Sequence, residues 1–150
     1  MAFHSVFFKD LFFGVPKKEN VKEEKVDGTT PEDFLILLGY LYRVDDTITV
    51  DNWEKLAKMA LHFQIQVVKD AVEYFLMDHY EVAIWSDAKK LTIGDKYGME
   101  SYKEATLEGI SYEHNVENLK KTEQYKGFTK ELEDRIEERV EEIKKDKEKN

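Results

Sequence analysis

The chain has 150 residues, 41% of them hydrophobic, with 32 acidic side chains against 23 lysines and arginines and no cysteine. That length suits one ordinary domain, or a small domain with an appendage, burying about 70% of its unfolded surface. The composition excludes disulfides, thiolate zinc sites, cysteine nucleophiles and disorder throughout. A formal charge of −9 lacks the cationic face that phosphate backbones require, so a protein partner is expected and a nucleic acid is not.

Residues 1–13, MAFHSVFFKDLFF, place Phe8, Leu11 and Phe12 at helical spacing behind Ser5 as a possible cap. The run is too short to cross a bilayer, and Lys9 alone is too little charge for a membrane-surface helix, so a core helix is expected. Nothing resembles a signal peptide, a membrane span or a glycosylation sequon, which suits a cytoplasmic or nuclear protein. Gly14 to Asn20 reads as a loop. Val21–Val26 reads as a short edge strand whose charges discourage wrong pairing, closed by the Asp27-Gly28 turn.

Two capped amphipathic helices follow. Thr30 is placed to cap the first, with Pro31 at its first position and Glu32 and Asp33 complementing the helix dipole. Phe34, Leu37, Leu38 and Leu41 form its apolar stripe. Asp51 and Glu54 resemble a capping box for the second helix, in which Trp53, Leu56, Ala57, Ala60 and Leu61 recur at helical spacing. After a break at Gln64–Gln66, Val68, Ala71, Val72 and Phe75 predict a third helix facing inward. Links this short force the three helices into one layer.

From about Glu81, Ile84, Ala88 and Leu91 predict a helix ending near Tyr97, interrupted by Gly94 and closed by Gly98 in the left-handed conformation. Met99, Tyr102 and Thr106 (or Ala105) mark a short helix. Asn115 is a candidate cap for another, carrying Val116 and Leu119. Finally Phe128, Leu132, Ile136, Val140 and Ile143 predict an amphipathic helix capped by Thr129 and fraying into KKDKEKN. About two heptads is short of a coiled coil.

No constellation asks for a reaction or a cofactor. Ser86 and Lys89 match Ser-x-x-Lys without its companion motifs, on what reads as a helix surface. His4, His62, His79 and His114 lack the pairing of helical zinc sites, and His62 is expected to be buried or half-buried beside core positions.

The order of these pieces resembles a BTB/POZ domain from its middle to its end. The resemblance rests on HSVFFKDLFFG, TTPEDFLILLGYLY and ITVDNWEKLAKMALHFQIQVVKDAVEYFL. Within them, the Phe-x-x-Leu-Leu-x-Tyr-x-Tyr run at Phe34–Tyr42 and the Asn-Trp-x-x-Leu-x-x-x-Ala-x-x-Phe-Gln-Ile run at Asn52–Ile65 carry most weight. It implies a mostly α (α+β) fold: a partial BTB/POZ helical layer with little strand over 1–79, then a BACK-like helical extension over 80–150 of the kind found in MATH–BTB and kelch adaptors. A complete domain of this family opens with a strand hairpin and a helix ahead of the HS-x-x-F segment. Met1 stands where those should have ended, so the expectation is a truncated BTB unit, or one completed by a partner.

Members with such an extension resemble substrate adaptors of cullin ubiquitin ligases. The resemblance therefore implies protein partners, a cullin or other BTB chains, and a partner-binding surface including Tyr42, Leu38, Phe12 and Val15. Tyr42 occupies the signature tyrosine position, and Leu38 also belongs to the apolar stripe. In the loop at Val15-Pro16-Lys17 the family carries an acid where Lys17 stands, and Glu19 comes two residues late. A reversed charge at a polar contact opposes binding rather than merely failing to help it.

Overall fold

The structure, a computed structural model, describes residues 29–44 and 47–149. Helix α1 spans Pro31–Leu41. It starts as its sequence predicts: the Thr30 side-chain oxygen accepts the Asp33 N–H at 3.1 Å, and Pro31 stands where no N–H is needed. Leu37 is fully buried, and Phe34, Leu38 and Leu41 are half-buried around it. The ring of Phe34 meets that of Phe63 edge-on, 5.8 Å between centroids, a favoured aromatic geometry.

Helix α2 spans Trp53–His62, and Asn52 rather than Asp51 is its N-cap residue. Asn52 faces backwards: its Oδ1 accepts the Thr49 N–H at 2.8 Å and its Nδ2 donates to the Thr47 carbonyl at 3.0 Å. The side chain thus fastens the preceding loop and makes no cap bond to α2. Leu56, Ala57 and Ala60 are buried as expected, with Trp53 beside them. Leu61 is not, at 51% exposed, while Met59 is buried. Position 61 rotates past one edge of the buried arc and position 59 falls inside the other. Helix α3, Gln66–Asp78, buries Val68, Val72 and Leu76, with Ala71 and Phe75 half-buried.

The chain divides into two compact units between Phe75 and Leu76, within α3. In the second, a short helix α4 (Tyr80–Ala83) precedes α5 (Asp87–Tyr97). The single helix expected through Ile84 is therefore broken: Ile84 closes α4 and lies 85% exposed, and Ser86 caps α5 by accepting the Lys89 N–H at 3.3 Å. Gly98 adopts φ +62° at the end of α5, as predicted.

Helices α6 (Glu100–Gly109), α7 (Glu113–Lys120) and α8 (Lys130–Lys149) follow, with a 3-10 turn at Gln124–Gly127 that the sequence pattern did not announce. Thr106, not Ala105, is the buried choice on α6. Asn115 lies inside α7 rather than capping it; Tyr112 is the cap residue, without a side-chain bond. The core of this unit joins Leu91, Leu107, Ile110, Val116, Leu119, Leu132, Ile136 and Ile143, with Tyr125, Phe128 and Val140 packed against it.

Gly94 permits the close approach of α6, since a Cβ there would stand 2.5 Å from Cγ of buried Lys103. The Lys103 ammonium reaches Glu100 at 2.8 Å. Helix α8 is tied along its length. The Thr129 hydroxyl donates to Asp95 at 2.8 Å, and Arg139 donates to the Ile110 and Glu108 carbonyls at 3.2 and 3.1 Å, satisfying groups at the end of α6. Lys147 pairs with Glu113 at 2.8 Å, so helix continues through the lysine-rich end where fraying was expected.

Among the described residues every regular element is helical and no strand occurs, consistent with a mostly α BTB-like fold. The expected helix at Phe8–Phe12 and strand at Val21–Val26 lie outside the described residues.

Candidate interaction surface

The exposed end of α1 is built by its termination. Tyr42 is the C-cap, and Arg43 follows at φ +56°, a left-handed conformation that non-glycine residues adopt at a cost. The Arg43 N–H donates to the Tyr40 carbonyl at 3.2 Å and the Val44 N–H to Gly39 at 2.9 Å, the paired bonds of a Schellman motif. With its backbone groups satisfied, the turn projects side chains outward: Tyr42 is 61% exposed and Val44 83%. Leu38, one turn back, is half-buried. Phe12 and Val15, expected to complete the surface, lie outside the described residues, as do Pro16, Lys17 and Glu19 of the predicted contact loop.

Next to this end a cleft of about 500 Å³ is lined by Leu35, Gly39 and Tyr40 of α1, by Thr47 and Thr49, and by Leu56 of α2 among others. Leu35 is largely exposed beside it. Across α1 and α2, Asp33 pairs with Lys55 at 3.1 Å, and that lysine's hydrogen bond holds the carboxyl below the usual carboxylate range. Apolar side chains beside a walled groove, with few ionisable groups facing it, bind by shape and burial.

Sequence reasoning placed Tyr42 at the end of its helix and missed Val44 and Leu35. Their signal was a contextual one. Val44 stands between Arg43 and Asp45, outside any apolar period, and Leu35 falls off the Phe34–Leu37–Leu38–Leu41 stripe.

The other candidates from the sequence resolve into structure. Ser86 is a helix cap and Lys89 lies over the Trp85 ring at 3.5 Å, so the Ser-x-x-Lys spacing brings no nucleophile to a base. His62 is exposed rather than half-buried, stacked edge-on to Phe63 at 4.7 Å, because its position follows Leu61 beyond the buried arc. The imidazole of His79 accepts the Glu81 N–H at 3.3 Å as the cap of α4. Among the described residues no group of His, Asp and Glu is arranged to hold a metal ion, and no helix is long and apolar enough to cross a membrane.

The family model of the BTB/POZ domain matches residues 1–80. No curated protein matches the chain, and no solved structure does. The family match spans α1, α2 and α3, including both runs that carried the resemblance, and covers more than half of the sequence. The chain belongs to the BTB/POZ domain family.

Proposed function

We propose that this chain is an adaptor-type interaction protein whose α1 end engages a cullin of a ubiquitin ligase. BTB/POZ domains mediate protein–protein interaction and oligomerisation, which supports the general part of the reading. Its specific part rests on one observation: the signature tyrosine, Tyr42, is presented outward, with Val44 beside it in sequence, on a turn whose backbone needs nothing from a partner. An exposed aromatic next to an apolar groove is the kind of anchor that dominates interface energetics. The reversed charge at Lys17 opposes a family-typical contact and predicts weaker binding than an adaptor with the acid.

A pull-down with a cullin N-terminal domain tests the reading. Capture by the wild type and at least tenfold less by Tyr42→Ala is expected. No capture where an established adaptor is captured overturns it. The alternative, a BTB-derived scaffold that pairs with itself or with related BTB chains, predicts a concentration-dependent rise in mass by light scattering instead.

A further inference from the structure

The second unit carries exposed apolar residues of its own. Met77 at the end of α3, Tyr80 at the start of α4 and Ile84 at its close are 43%, 74% and 85% exposed. Tyr80 and Ile84 stand four residues apart, one helical turn, and so share a face. Isolated exposed apolar residues are ordinary, but an isoleucine left almost wholly in water beside an exposed tyrosine marks an interaction patch.

Carboxylates predominate in the sequence around it. No lysine or arginine occurs between Lys69 and Lys89, the longest such interval in the chain, while Asp78, Glu81 and Asp87 fall in its second-unit part. Glu81 accepts the Tyr80 hydroxyl at 2.9 Å, and this bond and the carboxylate's charge raise the phenol's pKa, so the ring carries a carboxylate at its edge. Of the two lysines that end the interval, Lys89 sits over Trp85 at 3.5 Å and Lys90 donates to the Ala83 carbonyl at 3.1 Å. The patch thus has Tyr80 and Ile84 at its centre and the Asp78 and Glu81 carboxylates beside them in sequence, while Lys90 is spent on that carbonyl and the His79 ring is stacked on Tyr80.

We infer that Met77, Tyr80 and Ile84 form a docking surface for a basic amphipathic helix of a protein partner. Its apolar side chains would cover Tyr80 and Ile84, and its lysines or arginines would meet Asp78 and Glu81. Complementary charge gives such a contact its partner choice and its encounter rate, and the buried apolar anchors give it lifetime. A second copy of the chain fits poorly: a two-fold interface through this patch sets the Asp78 and Glu81 rims against themselves. An anionic lipid surface is repelled for the same reason.

Two synthetic helical peptides with the same leucine face test the surface, one with a lysine polar face and the other with a glutamate polar face. Both are titrated into the full chain by fluorescence anisotropy. The lysine peptide is expected to bind at least about tenfold more tightly than the glutamate peptide, and more weakly as salt rises. The pair Tyr80→Ser and Ile84→Ser should reduce that binding about tenfold or more. Leu61→Ser, an exposed apolar position on the first unit, should leave it unchanged, and circular dichroism should show all variants as helical as the wild type. Equal affinity for the two peptides overturns the inference, as does binding of the lysine peptide that ignores the Tyr80 and Ile84 substitutions. Self-association abolished by Ile84→Ser overturns it in favour of a second copy.

Discussion

The end of α1 and the ends of α2 and α5 are the same backbone device put to different uses. Each is a Schellman turn with a left-handed residue, Arg43 at φ +56°, Gln64 at +52° and Gly98 at +62°. The residue after each donates back into the helix: Val44 to Gly39 at 2.9 Å, Ile65 to Ala60 at 2.9 Å and Met99 to Gly94 at 2.8 Å. Ile65 and Met99 are fully buried, and there the turn locks a helix into the core. Val44 is exposed, with Tyr42 beside it in sequence. Shared hydrogen bonding therefore does not make a shared role. The destination of the side chain after the left-handed residue separates a structural terminus from a presenting one.

The largest effect should come from truncating those side chains. Ile65→Ala or Met99→Ala is expected to cost about 2–5 kcal/mol in urea unfolding, since each leaves a cavity in the core. Val44→Ala should lie within about 0.5 kcal/mol of the wild type. Equal losses at Val44 and Ile65 would erase the distinction between the two ends.

Backbone substitutions come next. Gly98→Ala places a side chain at φ +62° and should cost about 1–2 kcal/mol. Gly94→Ala, whose new methyl would press on Lys103, should cost about 1–3 kcal/mol in the same assay. Conversely, Arg43→Gly and Gln64→Gly relieve left-handed strain and should each stabilise by about 0.5–1 kcal/mol, less than the full left-handed penalty because glycine also loosens the unfolded chain.

The smallest effect concerns pH. The carboxyls of Asp33 and Glu113 are held below their ordinary values, first of all by hydrogen bonds from Lys55 and Lys147. Groups lowered on folding contribute stability above the unfolded pKa and lose it as pH falls through the lowered folded value. Unfolding followed from neutral pH down through the carboxylate range should show Lys55→Met and Lys147→Met less stable than the wild type at neutral pH. Each difference should shrink in acid, and a difference constant with pH would contradict these pairings.

Much of this was legible from local chemistry. Thr30 and Pro31 at a helix start, Thr129 in accepting the Leu132 N–H at 3.4 Å, and Gly98 at a helix end act through their own dihedrals or through bonds reaching a few residues, so a one-dimensional pattern contains them. Leu61 and His62 were misassigned and Met59 was passed over because a helix face has an edge, and its position is set by the neighbours rather than by the period. Asp51 is not the cap residue because the helix starts at Trp53, one residue later than a capping box at Asp51 needs, and the amide of Asn52 is spent on the Thr47–Thr49 loop. Ile84 was placed on the helix ending near Tyr97 because its spacing to Ala88 and Leu91 is helical, while the chain closes a separate short helix there. Of the candidate site, Tyr42 was named from the family motif. The exposure of Val44 was not foreseeable, since it depends on where Arg43 turns the chain.

The central claim is that the end of α1 presents side chains rather than packing them. Its most direct test is one variant, Tyr42→Ala with Val44→Ala, measured twice: by urea unfolding and by capture with a cullin N-terminal domain. The account predicts stability within about 1 kcal/mol of the wild type, together with a loss of capture of at least about tenfold. A variant that unfolds far more easily, or that is captured as well as the wild type, would contradict it.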